Sequence, residues 1–405
     1  MRFLREQPVE AAFGLGTTLF TSFGQTFFIS LFVPALMATL PITAGGFGTL
    51  YAAGTLVGAL ALPFVAAFYD TTELAVYTRR VFYALGLASL LMAVATHPAV
   101  VLFAVAGLRL CGPGLVTHIS NTTMAKGFEK RRGLALGLSS LGYPLGEAIL
   151  PPLTAALLLI VHWRLIWVGV AVLYLIVLPI IVTPLIRRAR FETFVAADFQ
   201  APRPSARGHL WASFQLMSGD RRFWWLLPVQ VLLPMLMTAA FLYQAPIAAS
   251  KGWSMAFMAS LFTVFAICRA LTSLTSGQRI DRDGAMRLVG WVAAPVAAGF
   301  LLLAWVSHPW AGVGFFVLAG LTAGSAGNVL TAIWAELYGP EKLGAIKGLT
   351  GSLAVFSSAA GPALAGGLIQ AGVTFPVMLT GFSALTGMGA LCAWRASRLT
   401  ASPQG

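Results

Sequence analysis

The stretch GLRLCGPGLVTHISNTTMAKGFEKRRGLALGLSSLGYPLGE, residues 107–147, decides how the chain folds. It holds two apolar runs separated by a short basic loop. Arg109 lies inside the first run, Glu147 inside the second, and Lys130, Arg131 and Arg132 lie between them. A charge inside a membrane segment is costly and is retained where it faces a partner or a water-filled path. The stretch therefore predicts a transmembrane hairpin with a functional charge on each arm.

The remainder of the chain supports a membrane setting. Of its 405 residues 58% are hydrophobic and only 10% charged, with a mean hydropathy of +0.83, where a soluble chain carries roughly 25% charged residues. The net charge of +13 sits between apolar blocks and not on one face of a soluble domain, which argues against a nucleic-acid partner. Cys111, Cys268 and Cys392 lie singly in apolar blocks without a CxxC or Cys/His cluster, so neither a disulfide framework nor a metal site is expected. There is no Walker loop or dinucleotide loop, which predicts a non-enzyme without a cofactor. The N-terminus shows no short apolar run ending in a cleavage site, so the first block is expected to be a retained span.

A membrane helix needs about 20 apolar residues, and twelve blocks qualify: 13–40, 46–68, 80–96, 99–124, 132–160, 164–186, 223–249, 255–277, 286–306, 310–337, 345–370 and 374–394. The long polar break predicts a six-helix half at 1–186, a cytoplasmic linker at 187–222 and a second half at 223–405. With the N-terminus in the cytoplasm, 22 of the 26 Lys and Arg residues fall on that side, Arg164 and Lys251 fall opposite, and Arg109 and Arg269 fall inside spans. Trp163, Trp253, Trp305 and Trp310 are expected as interfacial anchors at the outer ends. His97-Pro98 recurs as His308-Pro309, Asp70 as Asp281, and GLALG at 133–137 as GAIKG at 344–348, each at an offset of 211 residues. The chain is thus a duplication: an all-α membrane protein of twelve helices in two pseudo-symmetric halves.

These features resemble the major facilitator superfamily over nearly the whole length. Asp70 with Arg79 and Arg80, and GQRIDRDGAMR at 277–287 with Asp281 and Arg282, resemble its charged loop after the second helix of each half. The resemblance implies a cytoplasmic gate, to which Glu336, near Lys342 and Lys347, is added as a salt-bridge partner. SFGQTFFISLFVPAL at 22–36, and the run Phe128, Lys130, Arg131, Arg132, Ala135, Gly137, resemble the monocarboxylate and oxalate/formate carrier branch. That branch implies a substrate-binding arginine in the eighth helix, where Arg269 stands. It also implies, in some carriers, an aspartate one turn earlier, where this chain has Phe265.

The residues read alone agree. Arg269 lies deep in its span with no acid within a turn, and a planar guanidinium suits a carboxylate. Arg109 and Glu147 fall at matching depth on adjacent antiparallel helices, which predicts contact and a proton-coupling pair; a permanent structural ion pair is the alternative. Gln25, Thr26, Ser30, Tyr51, Thr55, His118, Asn121, Tyr143, Tyr243, Gln244, Asn328 and Thr331 are the other polar residues within spans. Of these Gln25, Tyr51, Asn121, Tyr143, Tyr243, Gln244 and Asn328 join Arg269 as expected substrate contacts. Glycines at 133, 137, 142 and 146, and in the eleventh block, predict close helix approach. The expected function is a proton-coupled secondary transporter of a small organic anion, a monomer in a bacterial inner membrane with both termini cytoplasmic. The rival expectations are an efflux pump for amphipathic compounds and a non-transporting scaffold.

Overall fold

The protein is represented by a computed structural model that describes residues 7–128, 132–189, 214–339 and 342–399, without the side chains of residues 132 and 343–345. Lys130 and Arg131 of the basic loop lie outside the described residues. The chain parts into two compact units, Met1–Pro202 and Arg203–Gly405. Eleven helices are long and apolar enough to cross a membrane, and a bent pair supplies a twelfth. In the first unit these are α1 (Pro8–Gly24 plus Thr26–Thr39), α2 (Ala44–Asp70), α3 (Leu74–Ala93), α4 (Pro98–Gly127), α5 (Gly133–Leu158) and α6 (Trp163–Arg188). In the second they are α7 (Arg221–Leu242), α8 (Met255–Asp283), α9 (Ala285–Trp305), α10 (Trp310–Tyr338), α11 (Ile346–Gln370) and α12 (Phe375–Ser397).

Local sequence sets the helix ends. The two His-Pro turns cap alike: His97 Nδ1 accepts from the Ala99 amide at 3.2 Å, and His308 Nδ1 from the Trp310 amide at 3.4 Å. Thr43 and Ser254 cap α2 and α8 through their hydroxyls. Arg164 and Lys251, the two basic residues expected opposite the others, have matching tasks. Arg164 donates to the carbonyls of Ala93 and Ala95 at 2.8 Å, and Lys251 to the carbonyl of Val306 at 3.0 Å. Ala95 and Val306 are 211 residues apart, so each cation satisfies the same free carbonyl at a helix C-terminus in its own repeat. Trp305 and Trp310 are exposed as interfacial residues should be. Trp163 and Trp253 are buried instead, and Trp253 donates to the Ser307 carbonyl at 2.9 Å, which ties it to the turn before α10.

Two departures from regular helix lie in the first unit. Gln25 has φ −82 and ψ 154, an extended residue that breaks α1 and bends it by 46°. In α4, Leu110–Val116 is wound as a π-helix around Pro113. The structure brings these two irregular segments together, because a Cβ on Gly24 would strike the Leu108 carbonyl and lie 2.8 Å from Pro113, while one on Gly112 would lie 2.9 Å from the Gly24 Cα. The absence of side chains on both glycines allows the two backbones to touch. Where α7 bends, at Tyr243, the equivalent residue of α1 is Phe32, which ends a short 3-10 turn. The bend at Gln25 has no such counterpart, since α7 runs unbroken through Leu236.

Candidate functional site

The broken helix organises the first unit's charges. Arg109 Nη1 donates to the Gly24 carbonyl at 3.3 Å, the group that the break deprives of a helical partner, and its guanidinium carbon lies 5.8 Å from the Tyr51 ring centre. Tyr51 is buried and its hydroxyl lies 2.7 Å from Thr26 Oγ1, the first residue after the break. Gln25, half-buried, occupies the break itself. Arg109, Tyr51 and the residues on either side of Gln25, Gly24 and Thr26, therefore form one cluster on α1, α2 and α4.

Glu147 stands on α5, whose neighbouring Gly146 packs against α1. It lies eleven residues from Leu158, as Arg109 lies eleven from Pro98, so each is about 16 Å from its helix end. The matching depth is as expected; the contact is not. Gly146 presses on Ser22 and Gly142 on Leu15, Thr18 and Leu19, so α5 packs closely on α1. The described partners of Arg109 are the Gly24 carbonyl and the Tyr51 ring, and not Glu147. Glu147 is 6% exposed and lies on the buried stripe with Gly146, Leu150 and Thr154, opposite exposed Leu145, Ile149 and Leu153. Tyr143, one turn earlier, donates to Thr117 Oγ1 at 3.1 Å. Asn121 is exposed on α4. A serine knot that sequence reasoning passed over joins three helices: Ser139 donates to the Gly14 carbonyl at 2.9 Å and lies 2.7 Å from the Ser120 hydroxyl. Isolated serines in apolar helices carry no periodic signal, and so gave no forewarning.

In the second unit Arg269 is the midpoint of Met255–Asp283, fourteen residues from each end. At about 100° per residue it lies roughly opposite the exposed apolar stripe of Ile267, Leu271 and Leu274, on the face that buries Phe262, Phe265 and Ala266. Helix contact here is made by backbone: a Cβ on Gly320 of α10 would lie 3.2 Å from the Arg269 nitrogen, and one on Gly324 would strike its carbonyl. Tyr243 and Gln244 are wholly buried at the bend after α7, and Tyr243 donates to the Pro362 carbonyl at 3.3 Å. Asn328 donates to the Ser273 carbonyl at 2.9 Å and to Ser276 Oγ at 2.8 Å, which makes it a clamp between α10 and α8.

The charged loops behave differently from expectation. Asp70 pairs with Lys126 at 3.2 Å, tying the end of α2 to the end of α4, while Arg79 is half-buried and Arg80 exposed with no described ion pair. Asp281 is exposed, and Arg282 is largely solvated, 3.9 Å from Asp283. Glu336 makes no described salt bridge to Lys342 or Lys347. Its carboxylate accepts from the amides of Ala285 at 2.8 Å and Met286 at 3.3 Å, capping α9. Gly284 permits this with φ +79 and ψ 145, a conformation reserved for glycine. Asp70 and Glu336 thus fasten corresponding loops of the two repeats, one by an ion pair and one by a helix cap. Glu336→Ala is expected to cost about 1–2 kcal/mol, the worth of a cap with charge-assisted bonds, and Lys347→Gln to cost nothing; thermal unfolding in detergent measures both. A third tie sits where α7 begins. Asp220 accepts from the Arg222 amide at 2.8 Å and from its guanidinium at 2.8 Å, and Tyr338 donates to it at 3.4 Å. Burial pushes the Asp220 carboxyl up, but the Arg222 bonds and charge and the Tyr338 bond outweigh it and hold the carboxyl below its ordinary range. A lowered carboxyl stabilises the fold above its unfolded pKa and loses that contribution on acidification.

Comparison with known proteins accords with this architecture. No curated protein sequence matches the chain. Among solved structures it is similar to the nucleoside transporter NupG, with a TM-score of 0.69 at 13% identity over 97% of this chain and 98% of that one. A substitution mutant of NupG gives a TM-score of 0.72 at 13% identity, covering 96% and 98%. A bacterial homologue of the human lysosomal transporter Spinster, inward-facing and unoccupied, gives 0.68 at 16% identity, covering 96% and 93%. At such identities these likenesses speak for the fold alone. The Major Facilitator Superfamily sequence model matches residues 15–259 and 237–404. This multi-pass chain belongs to the Major Facilitator Superfamily of transporters.

Proposed function

We propose that this alternating-access transporter moves a small organic anion, a mono- or dicarboxylate, in company with protons across a bacterial inner membrane, with both termini cytoplasmic. The observation that carries the reading is Arg269, a guanidinium at the midpoint of α8 on the side away from the exposed apolar stripe. A charge at that depth is costly and is kept where it recognises something. A planar fork matches a carboxylate with two parallel bonds. The resemblance of the run from Phe128 to Gly137 to the monocarboxylate and oxalate/formate carrier branch supports an anion over a nucleoside. The aromatic residues around Arg269 speak against a wide cavity for amphipathic compounds. Phe241, Phe262 and Phe316 pack ring on ring at 4.9–5.9 Å, and Phe262 and Phe316 are fully buried.

Glu147 is the proton carrier in this reading. A buried carboxyl changes its proton affinity as its surroundings change polarity, and Glu147 borders the bend of α1, where small movements alter those surroundings. Arg109, bonded to the Gly24 carbonyl, acts by holding the broken helix and not as the ion-pair partner. The test is uptake of radiolabelled mono- and dicarboxylates by proteoliposomes with an imposed pH gradient. Carboxylates are expected to accumulate and nucleosides to remain outside. Glu147→Gln should remove the gradient-driven accumulation and spare counterflow exchange. A variant that still accumulates substrate rules out the carrier role, and transport of nucleosides in place of carboxylates rules out the anion.

A further inference from the structure

Three arginines at one end of the second unit, Arg287, Arg395 and Arg398, gather near two helices. Gly290 of α9 lies against Trp394 of α12, since a Cβ on Gly290 would sit 2.8 Å from the Trp394 Cβ. The two helices are antiparallel, so with 290 opposite 394 the register sets Arg287 level with Ser397 and Arg398, and Trp291 level with Ala393. Trp291 is 71% exposed and Trp394 41% exposed. The Arg398 guanidinium lies 4.0 Å above the Trp394 ring. Arg287, Arg395 and Arg398 are all exposed. The described ion pairs of this unit are Arg222 with Asp220 and Arg282 with Asp283, so none of these three arginines is neutralised within it.

We infer that the groove between α9 and α12 binds the phosphate of an anionic phospholipid headgroup, with Arg287 and Arg398 as its ligands. The chemistry fits that occupant in three respects. Exposed tryptophans lie at the level of the headgroups, where their flat apolar bodies and polar edges are both satisfied. Stacking on Trp394 holds the Arg398 fork in one orientation, so less freedom is lost when it binds a phosphate. Two guanidiniums at one level, neither in a described ion pair, favour a negative headgroup over a zwitterionic one, as basic pockets between membrane helices do. Topogenic charge alone would require neither the tryptophans nor the shared level.

Native mass spectrometry of the full chain, purified with a low mole fraction of phosphatidylglycerol among phosphatidylcholine, tests the site. The wild type is expected to retain one phosphatidylglycerol with saturable occupancy. The double variant Arg287→Gln with Arg398→Gln should retain it at least tenfold less well. A charge-matched control, Arg279→Gln with Lys347→Gln, removes two exposed basic residues from the same unit and should retain the lipid as the wild type does. These are surface positions, and unchanged thermal unfolding checks that each variant is folded. Equal loss in both variants would show diffuse attraction to basic charge and overturn the site. No loss in the first variant, or equal retention of phosphatidylcholine, would overturn it as well.

Discussion

Arg269→Ala is expected to lower carboxylate uptake by proteoliposomes about 100-fold while leaving thermal unfolding unchanged. The size follows from losing a two-pronged charge-assisted bond worth about 3 kcal/mol, each 1.4 kcal/mol being a factor of ten. The stability claim follows from geometry. What locks α8 to α10 is the Arg269 backbone against Gly320 and Gly324, together with Cys268 and Thr272, and alanine keeps all of it. Arg269→Lys separates charge from shape. Lysine retains the positive charge but not the planar fork, so it should recover part of the rate, with the loss expressed chiefly in KM. Uptake that survives Arg269→Ala would sink the assignment. A fall in unfolding temperature with the same loss of uptake would make Arg269 a structural residue.

How much of this was legible in the sequence depends on what each feature rests upon. The twelve spans were legible because length and apolarity alone define them, and the described helices fall on the twelve blocks, with α2 and α8 running on to Asp70 and Asp283. Depth along a helix was legible too, since rise per residue is constant; Arg109 and Glu147 do share a level. Which side chains meet was not. α4 and α5 do pack together, through Tyr143 on Thr117 and Ser139 on Ser120, but Gly142 and Gly146 also draw α1 against α5, and the Arg109 guanidinium turns to the Gly24 carbonyl of α1. The break at Gln25 had a weak signal in Gly24-Gln25, and the π-turn had one in Gly112-Pro113-Gly114. Each is ambiguous alone, because glycine and proline are tolerated in intact membrane helices. Only the pairing of Gly24 with Gly112 across space makes either informative. Glu336 was misjudged for a related reason. Chain proximity favoured Lys342 and Lys347, whereas the α8–α9 turn at Gly284 delivers two free amides to it.

Gly24→Ala is expected to be strongly damaging to the first unit. Its methyl group would overlap the Leu108 carbonyl and crowd Pro113, neither of which is the end of a flexible side chain. Overpacking of this kind costs about 1–3 kcal/mol. Separating α1 from α4 would also pull the Gly24 carbonyl from Arg109, and a hydrogen bond to a charged group is worth about 1.5–3 kcal/mol. Together these predict an unfolding temperature lower by about 10 °C, at roughly 2–4 °C per kcal/mol for a unit of this size, with transport lost in parallel. The comparison that gives the result its meaning is Gly137→Ala. Sequence alone groups Gly137 with Gly142 and Gly146 as close-approach glycines, yet an added Cβ at Gly137 meets open space. Alanine there should be neutral or raise stability by up to about 1 kcal/mol through helix propensity. If both substitutions were tolerated, the contact between the two irregular segments would not hold the unit together, and Arg109 would lose its role as the brace of a broken helix. If Gly24→Ala destabilises and Gly137→Ala does not, the charge of Arg109 within residues 107–147 is explained by the carbonyl it holds, and the proposed proton coupling would rest on Glu147 alone.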